Sequence, residues 1–121
     1  MKNMNPRSYA HIGDAIWELF VREYTIFKTQ NLNTLHKITT ERVNASYQAE
    51  MLSFISSELN EDEADLARRA RNCSIPIARR HNQSEYRLST AFEALLGYWY
   101  INDKNRLSEV LDKIKINYFS E

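Results

Sequence analysis

Over residues 8–28, apolar side chains at Ile12, Ile16, Leu19, Phe20 and Phe27 recur at helical spacing, and Ser8 is placed to cap the helix they predict. Its other stripe carries His11, Asp14, Glu18 and Arg22 in steps of three, four and four, so four polar side chains share one face. Gly13 stands inside this helix at a cost of about 1 kcal/mol relative to alanine, and a close approach by another backbone or by a ligand is the expected reason. Asn33 is placed to cap a short helix to about residue 42. Residues 45–57 predict another, with Tyr47, Met51, Leu52 and Ile55 facing inward.

Asn60 followed by Glu61, Asp62 and Glu63 is a helix start, because a capping side chain and early carboxylates both satisfy the exposed N–H groups and the helix dipole. That helix ends in arginines near Asn72. Residues 73–83 contain Pro76 and no sustained periodicity, so an exposed loop is expected, with a basic centre at Arg79, Arg80 and His81. Ser84 is then placed to cap a helix to about residue 101. Leu88, Phe92, Leu95 and Trp99 form one stripe of it, and Tyr86, Thr90, Glu93 and Gly97 another, which puts Glu93 in mid-helix near the core. After a turn at Asn102 and Asp103, a last amphipathic helix turns Leu107, Val110, Leu111 and Ile114 inward. No internal repeat or low-complexity segment interrupts this order.

Composition agrees with helices. Two glycines and two prolines in 121 residues leave little turn chemistry for an all-β fold. The expectation is one all-α domain over residues 1–121, a helical bundle with its core at about 8–118 and no separate recognition unit. Cys73, the single cysteine, has no partner for a disulfide or a zinc knuckle. The N-terminus lacks the apolar core of a signal sequence and no run reaches the roughly 18 apolar residues of a membrane span, so a cytoplasmic protein, or one of the stroma of a bacterially derived organelle, is expected.

Sixteen basic residues balance sixteen acidic ones, so no global cationic field draws the chain onto nucleic acid. Their distribution is uneven. Glu58, Glu61, Asp62, Glu63 and Asp65 crowd together, and Arg68, Arg69, Arg71, Arg79, Arg80 and Arg87 follow. Arginines 68, 69 and 71 follow an acidic run that they would neutralise through pairs at helical spacing, such as Asp65 with Arg68 and Arg69, whereas Arg79, Arg80 and His81 follow no such run.

The stretch Tyr9-Ala10-His11-Ile12-Gly13-Asp14-Ala15-Ile16-Trp17-Glu18-Leu19 resembles the signature helix of the ribonuclease III family, whose Gly-Asp-Ala core carries a metal-binding aspartate. Further on, Tyr86-Arg87-Leu88-Ser89-Thr90-Ala91-Phe92-Glu93-Ala94-Leu95-Leu96-Gly97-Tyr98 resembles that family's second metal-ligand helix. With Leu35-His36-Lys37 and Arg69-Ala70-Arg71-Asn72 the chain is similar, more narrowly, to Mini-ribonuclease III, the compact branch without a double-stranded-RNA-binding domain. The resemblance implies a homodimeric endoribonuclease that hydrolyses double-stranded RNA to 5′-phosphate and 3′-hydroxyl ends. It further implies a role in maturing large-subunit (23S) precursor ribosomal RNA. Larger relatives carry carboxylates at the positions of Ala10 and Thr90, and Cys73-Ser74-Ile75 departs from the small Ala-Lys-type sequence usual in the Mini branch. Those absences motivate the alternative, a catalytically silent duplex-RNA-binding dimer assisting ribosome assembly.

Asp14 and Glu93 are the expected catalytic metal ligands. Mg²⁺, or Mn²⁺ in its place, takes hard oxygen ligands and keeps several waters, so one or two carboxylates on neighbouring rigid helices suffice. Such a metal lowers the pKa of a bound water and neutralises charge on phosphate oxygens. Glu18 would orient a metal-bound water or pair with an arginine, and Thr90 would hydrogen-bond a ligand or a water. The bland alternative for Glu93 is an ion pair with an arginine such as Arg22. Arg71, Asn72, Arg79, Arg80, His81 and Arg87 are the expected contacts to RNA phosphates and 2′-hydroxyls, since duplex RNA is recognised mainly by shape.

Overall fold

The computed structural model describes residues 4–120, and among them the regular structure is entirely helical. Six α-helices follow one another: α1 (Pro6–Thr25), α2 (Leu32–Val43), α3 (Ala45–Ile55), α4 (Glu61–Arg71), α5 (Gln83–Asn102) and α6 (Lys104–Tyr118). Short 3₁₀ turns at Ser56–Glu58 and Ile77–Asn82 follow α3 and precede α5.

Side-chain caps set most of the starts. Asn5 accepts from the Arg7 N–H at 2.9 Å with Pro6 in the first turn, so α1 begins before the expected cap at Ser8. Asn31, not Asn33, caps α2 by accepting from the Thr34 N–H at 2.9 Å. Asn60 and Glu63 form a reciprocal capping box at the start of α4, with bonds of 2.9 and 3.0 Å. Ser84 caps nothing, because the 3₁₀ turn runs directly into α5, whose N-cap Asn82 makes no side-chain capping bond. The expected loop at 73–83 is therefore half ordered into 3₁₀ structure, started by Pro76, whose carbonyl accepts from the Arg79 N–H at 2.9 Å.

The inner edge of α1 is only partly the expected one: Ile16 and Phe20 pack against the core and Ile12 lies at Gly97, but the deepest stripe is another. Tyr9, Gly13, Trp17, Val21 and Thr25 are buried, whereas Leu19 is 60% exposed and Phe27, past the helix end, is 89% exposed. Helix α1 is apolar around much of its circumference, so periodicity alone allows two stripes. The crossing with α5 selects the stripe that contains glycine, since only there can the two backbones close up.

Helix α5 runs through the middle of the fold, burying Ala91, Phe92, Ala94, Leu95, Leu96 and Trp99, and it packs against α1, α3 and α4. Trp17 lies edge-on to Phe92 with centroids 5.1 Å apart and donates its indole N–H to the Arg42 carbonyl at 2.8 Å, which ties α1 to α2. On the far side Glu63 is 4% exposed yet fully engaged. Trp99 Nε1 donates to it at 2.8 Å, and Arg106 closes on both carboxylate oxygens at 3.0 and 3.1 Å, so α4, α5 and α6 meet at one satisfied charge pair. Arg68 and Arg69 both pair with Asp65, as their helical spacing allows.

Candidate active site

Both glycines of the chain serve one contact. A Cβ on Gly13 would stand 1.8 Å from the carbonyl oxygen of Glu93, and a Cβ on Gly97 would stand 1.9 Å from that of Tyr9. Helices α1 and α5 thus cross antiparallel with their backbones touching at two points one turn apart. Asp14 follows the first glycine, so the contact itself brings the Asp14 and Glu93 carboxyls together.

Their proximity has an electrostatic signature. Burial pushes the Glu93 carboxyl up to about 8, and the neighbouring Asp14 charge, a hydrogen bond with Asp14 and the Glu18 charge push in the same direction; only the amide of Gln48 opposes them. Two acids held this close in a buried setting disfavour a second negative charge, so Glu93 is driven toward its neutral form. Arg22 does not neutralise Glu93: it faces Glu18 on its own helix, with 3.5 Å between Nε and Oε2.

The pair lies where two hollows meet. A cleft of about 580 Å³ is lined by Asp14 and Glu93 together with Asn44, Gln48, Arg79 and Asn82. A smaller one of about 240 Å³ is lined by Arg7, Ala10, His11, Asp14, Thr90 and Glu93. Thr90 is buried there, its hydroxyl donating to the Tyr86 carbonyl at 3.0 Å, so the side chain is held by its own helix. Gln48 was invisible to motif reasoning. Its signal in the sequence is a polar residue in the inner stripe of α3 with Met51, Leu52 and Ile55.

The basic segment borders this cleft. Arg79 lines it, with its guanidinium 5.8 Å from the centroid of the Tyr86 ring, and Arg80 and His81 are exposed on the same 3₁₀ turn. Arg71 and Asn72 are exposed at the end of α4. Arg87 is engaged differently: its Nη1 donates to the carbonyls of Arg71 at 2.5 Å and Cys73 at 3.4 Å. Arg7 likewise donates to the Ser74 carbonyl. Two guanidiniums thus hold the strand of chain that leads into the basic turn.

A model of the ribonuclease III domain matches residues 7–104, a span that includes both acids and the whole basic segment. The chain belongs to the ribonuclease III family. Within it the similarity is to the compact branch. A Mini-ribonuclease 3 of Gloeobacter violaceus is 40% identical over 92% of this chain and 82% of its own length. One from Clostridium tetani is 39% identical over 100% and 82%, and a Mini-ribonuclease 3-like protein of Ilyobacter polytropus is 39% identical over 100% and 94%. A crystal structure of a protein from Fusobacterium nucleatum superimposes with a TM-score of 0.82 at 30% identity, covering 93% of each chain. Membership places the chain in a family of endoribonucleases.

That family is one of metal-dependent hydrolases, and the residues present fit a hard divalent ion. Asp14 and Glu93 offer carboxylate oxygens, Glu18 adds charge nearby, and the buried Gln48 Oε1 has no hydrogen-bond partner among the described residues. Among the described residues no three His, Cys, Asp or Glu side chains cluster as a metal cage. The donor set is thus an acid pair that suits an ion retaining water, rather than a zinc-type site closed by protein ligands. No helix among the described residues is long and apolar enough to cross a membrane.

Proposed function

We propose that this member of the ribonuclease III family is a Mg²⁺-dependent endoribonuclease, with Mn²⁺ able to substitute, that hydrolyses double-stranded RNA to 5′-phosphate and 3′-hydroxyl ends. One observation carries the reading: the glycine contact holds Asp14 and Glu93 side by side at the meeting of two hollows, with Glu93 pushed up to about 8 by burial and by its neighbour.

In this reading Asp14 and Glu93 hold the ion, which when bound lowers the pKa of a water and neutralises charge on the scissile phosphate. The remaining work belongs to the chain. Arg79 and Arg80 contact phosphates of the duplex, His81, Arg71 and Asn72 extend that surface, and Arg87 acts through the segment it ties down. Glu18, one turn after Asp14, accepts a hydrogen bond from water at the acid pair. Thr90 shapes the smaller hollow. A water oxygen adds to phosphorus and gives up one proton as the bond to the 3′ oxygen breaks, and the departing 3′ oxygen takes up one proton from solvent, so that one water is consumed per cut. A homodimer would bring two such sites to the two strands of one duplex. Precursor large-subunit ribosomal RNA is the substrate that the relatives' branch suggests, and the cytoplasm the place.

The test is cleavage of a duplex RNA with and without Mg²⁺, beside D14N and E93Q. Cleavage that needs the metal and falls by a factor of roughly 100 or more in either variant, with duplex binding retained, is the expected result. Ala10 and Thr90, standing where larger relatives have carboxylates, favour one other reading, the catalytically silent duplex-binding dimer. Duplex binding with no product in either metal, unchanged in D14N, would replace the first reading with the second.

A further inference from the structure

Gln48 is a neutral polar side chain in an apolar setting, 3% exposed on the inner stripe of α3. Its Nε2 donates to the Val43 carbonyl at 3.0 Å, which settles the orientation of the amide: turned the other way, it would set two acceptors face to face. The Oε1 is therefore directed elsewhere, is buried, and has no hydrogen-bond partner among the described residues. Leaving a buried acceptor without a donor is destabilising, and an apolar residue of the same length would avoid that cost. The same side chain lines the cleft with Asp14 and Glu93, and its amide acts on the Glu93 carboxyl.

We propose that Gln48 is a positioning residue of the reaction: anchored on Val43, its amide sets the orientation of the Glu93 carboxyl and presents Oε1 to a water held at the acid pair. The inference rests on the reading of Asp14 and Glu93 as a cation-holding pair. Once a cation holds Asp14 and Glu93 in their ionised forms neither can donate a hydrogen bond, so the unpartnered Oε1 then needs an O–H brought in with the ion or with the substrate. A ribose 2′-hydroxyl has the same chemistry. The burial of Oε1 favours water, the smaller donor.

The experiment uses the full chain with Gln48→Leu, which keeps size and removes both polar ends, and Gln48→Glu, which keeps an acceptor. Two quantities are read: the Mg²⁺ concentration that half-stabilises the protein against heat without RNA, and kcat and KM on duplex RNA. A parallel substrate carries a 2′-deoxy sugar at the cleavage site.

For Q48L the half-stabilising Mg²⁺ concentration should rise about tenfold and kcat should fall about tenfold or more, with KM within about twofold of the parent. Q48E sets a carboxylate against the Val43 carbonyl in place of the donor, so it should need no more Mg²⁺ than the parent while kcat falls as in Q48L. If Q48L does not fold, Q48M supplies the same comparison with a more adaptable apolar side chain. A Q48L protein with the parent's Mg²⁺ response and kcat would reduce Gln48 to packing. A deficit that disappears on the 2′-deoxy duplex would reassign Oε1 to the ribose hydroxyl and overturn the water role. A parent protein that neither cleaves RNA nor responds to Mg²⁺ would defeat the proposed function itself, and the role of Gln48 with it. An active parent with an indifferent Q48L defeats the role of Gln48 alone.

Discussion

The bare α-carbon of Gly13 rests against the carbonyl oxygen of Glu93, so closely that a methyl group added there would lie 1.8 Å from that oxygen. The contact is made by backbone on both sides, and no rotamer change relieves it. Ordinarily alanine in a helix gains about 1 kcal/mol over glycine. Here the clash wins. Gly13→Ala and Gly97→Ala should each destabilise the protein by about 3 kcal/mol, lowering the melting temperature by roughly 10 °C or more, as thermal unfolding would read. A variant melting at or above the parent temperature would mean that the helices are farther apart than described.

The raised carboxyl of Glu93 makes a prediction with a definite sign. In metal-free protein the folded state holds this proton up to about pH 8, whereas the unfolded chain releases it near the ordinary value of 4.5. The folded state thus binds more protons between those limits, so stability is full below about pH 4.5 and declines as pH rises toward 8. Glu93→Gln removes that decline. Urea unfolding in a chelator at pH 8 should find E93Q more stable than the parent by on the order of 3 kcal/mol, and the difference should vanish near pH 4.

The pair on the other side of α5 behaves oppositely. Burial pushes the Glu63 carboxyl up, but hydrogen bonds from Arg106, the Asn60 N–H and Trp99 outweigh it and hold the group below its ordinary range. Its contribution is present above about pH 4.5 and is lost as pH falls through the depressed folded value. Arg106→Met strands the buried carboxylate and should destabilise by about 3 kcal/mol at neutral pH, more than the double variant with Glu63→Gln. Equal losses in single and double variants, measured by denaturant unfolding, would show that the carboxylate is not confined.

The basic segment divides by its hydrogen bonds. Arg79→Ala and Arg80→Ala remove exposed charges and should each weaken duplex binding while reducing the slope of log K against log salt by about 1. Arg87→Ala removes the tie to the Arg71 and Cys73 carbonyls instead, so its loss of affinity should come with a nearly unchanged salt slope. Binding titrations across a salt series distinguish the two behaviours.

Much of this arrangement is legible in the sequence, and the exceptions have physical causes. Helix order follows from periodicity and from asparagine caps, and the Asn60 start of α4 is realised as a full capping box. Asn5 and Asn31 displace Ser8 and Asn33 because each sequence offers two neighbouring capping residues, and propensity does not rank them. The inner edge of α1 was hidden by apolar residues on several faces. Gly13 marked the correct edge, since a mid-helix glycine signals close approach. The acid pair was readable because each carboxylate sits in a motif. Gln48 was not, because its importance arises only when α3 is laid beside α5.

The crossing of α1 and α5 also bears on the order of folding. Residues 26–82 lie between the two helices, so joining them closes a long loop and has to await, or coincide with, the collapse of what lies between. Because that joining is what creates the acid pair, no partly assembled chain carries a finished centre. The meeting of Asp14 and Glu93 thus belongs to the closing step of folding, and a nascent chain lacking α5 has only one of the two acids.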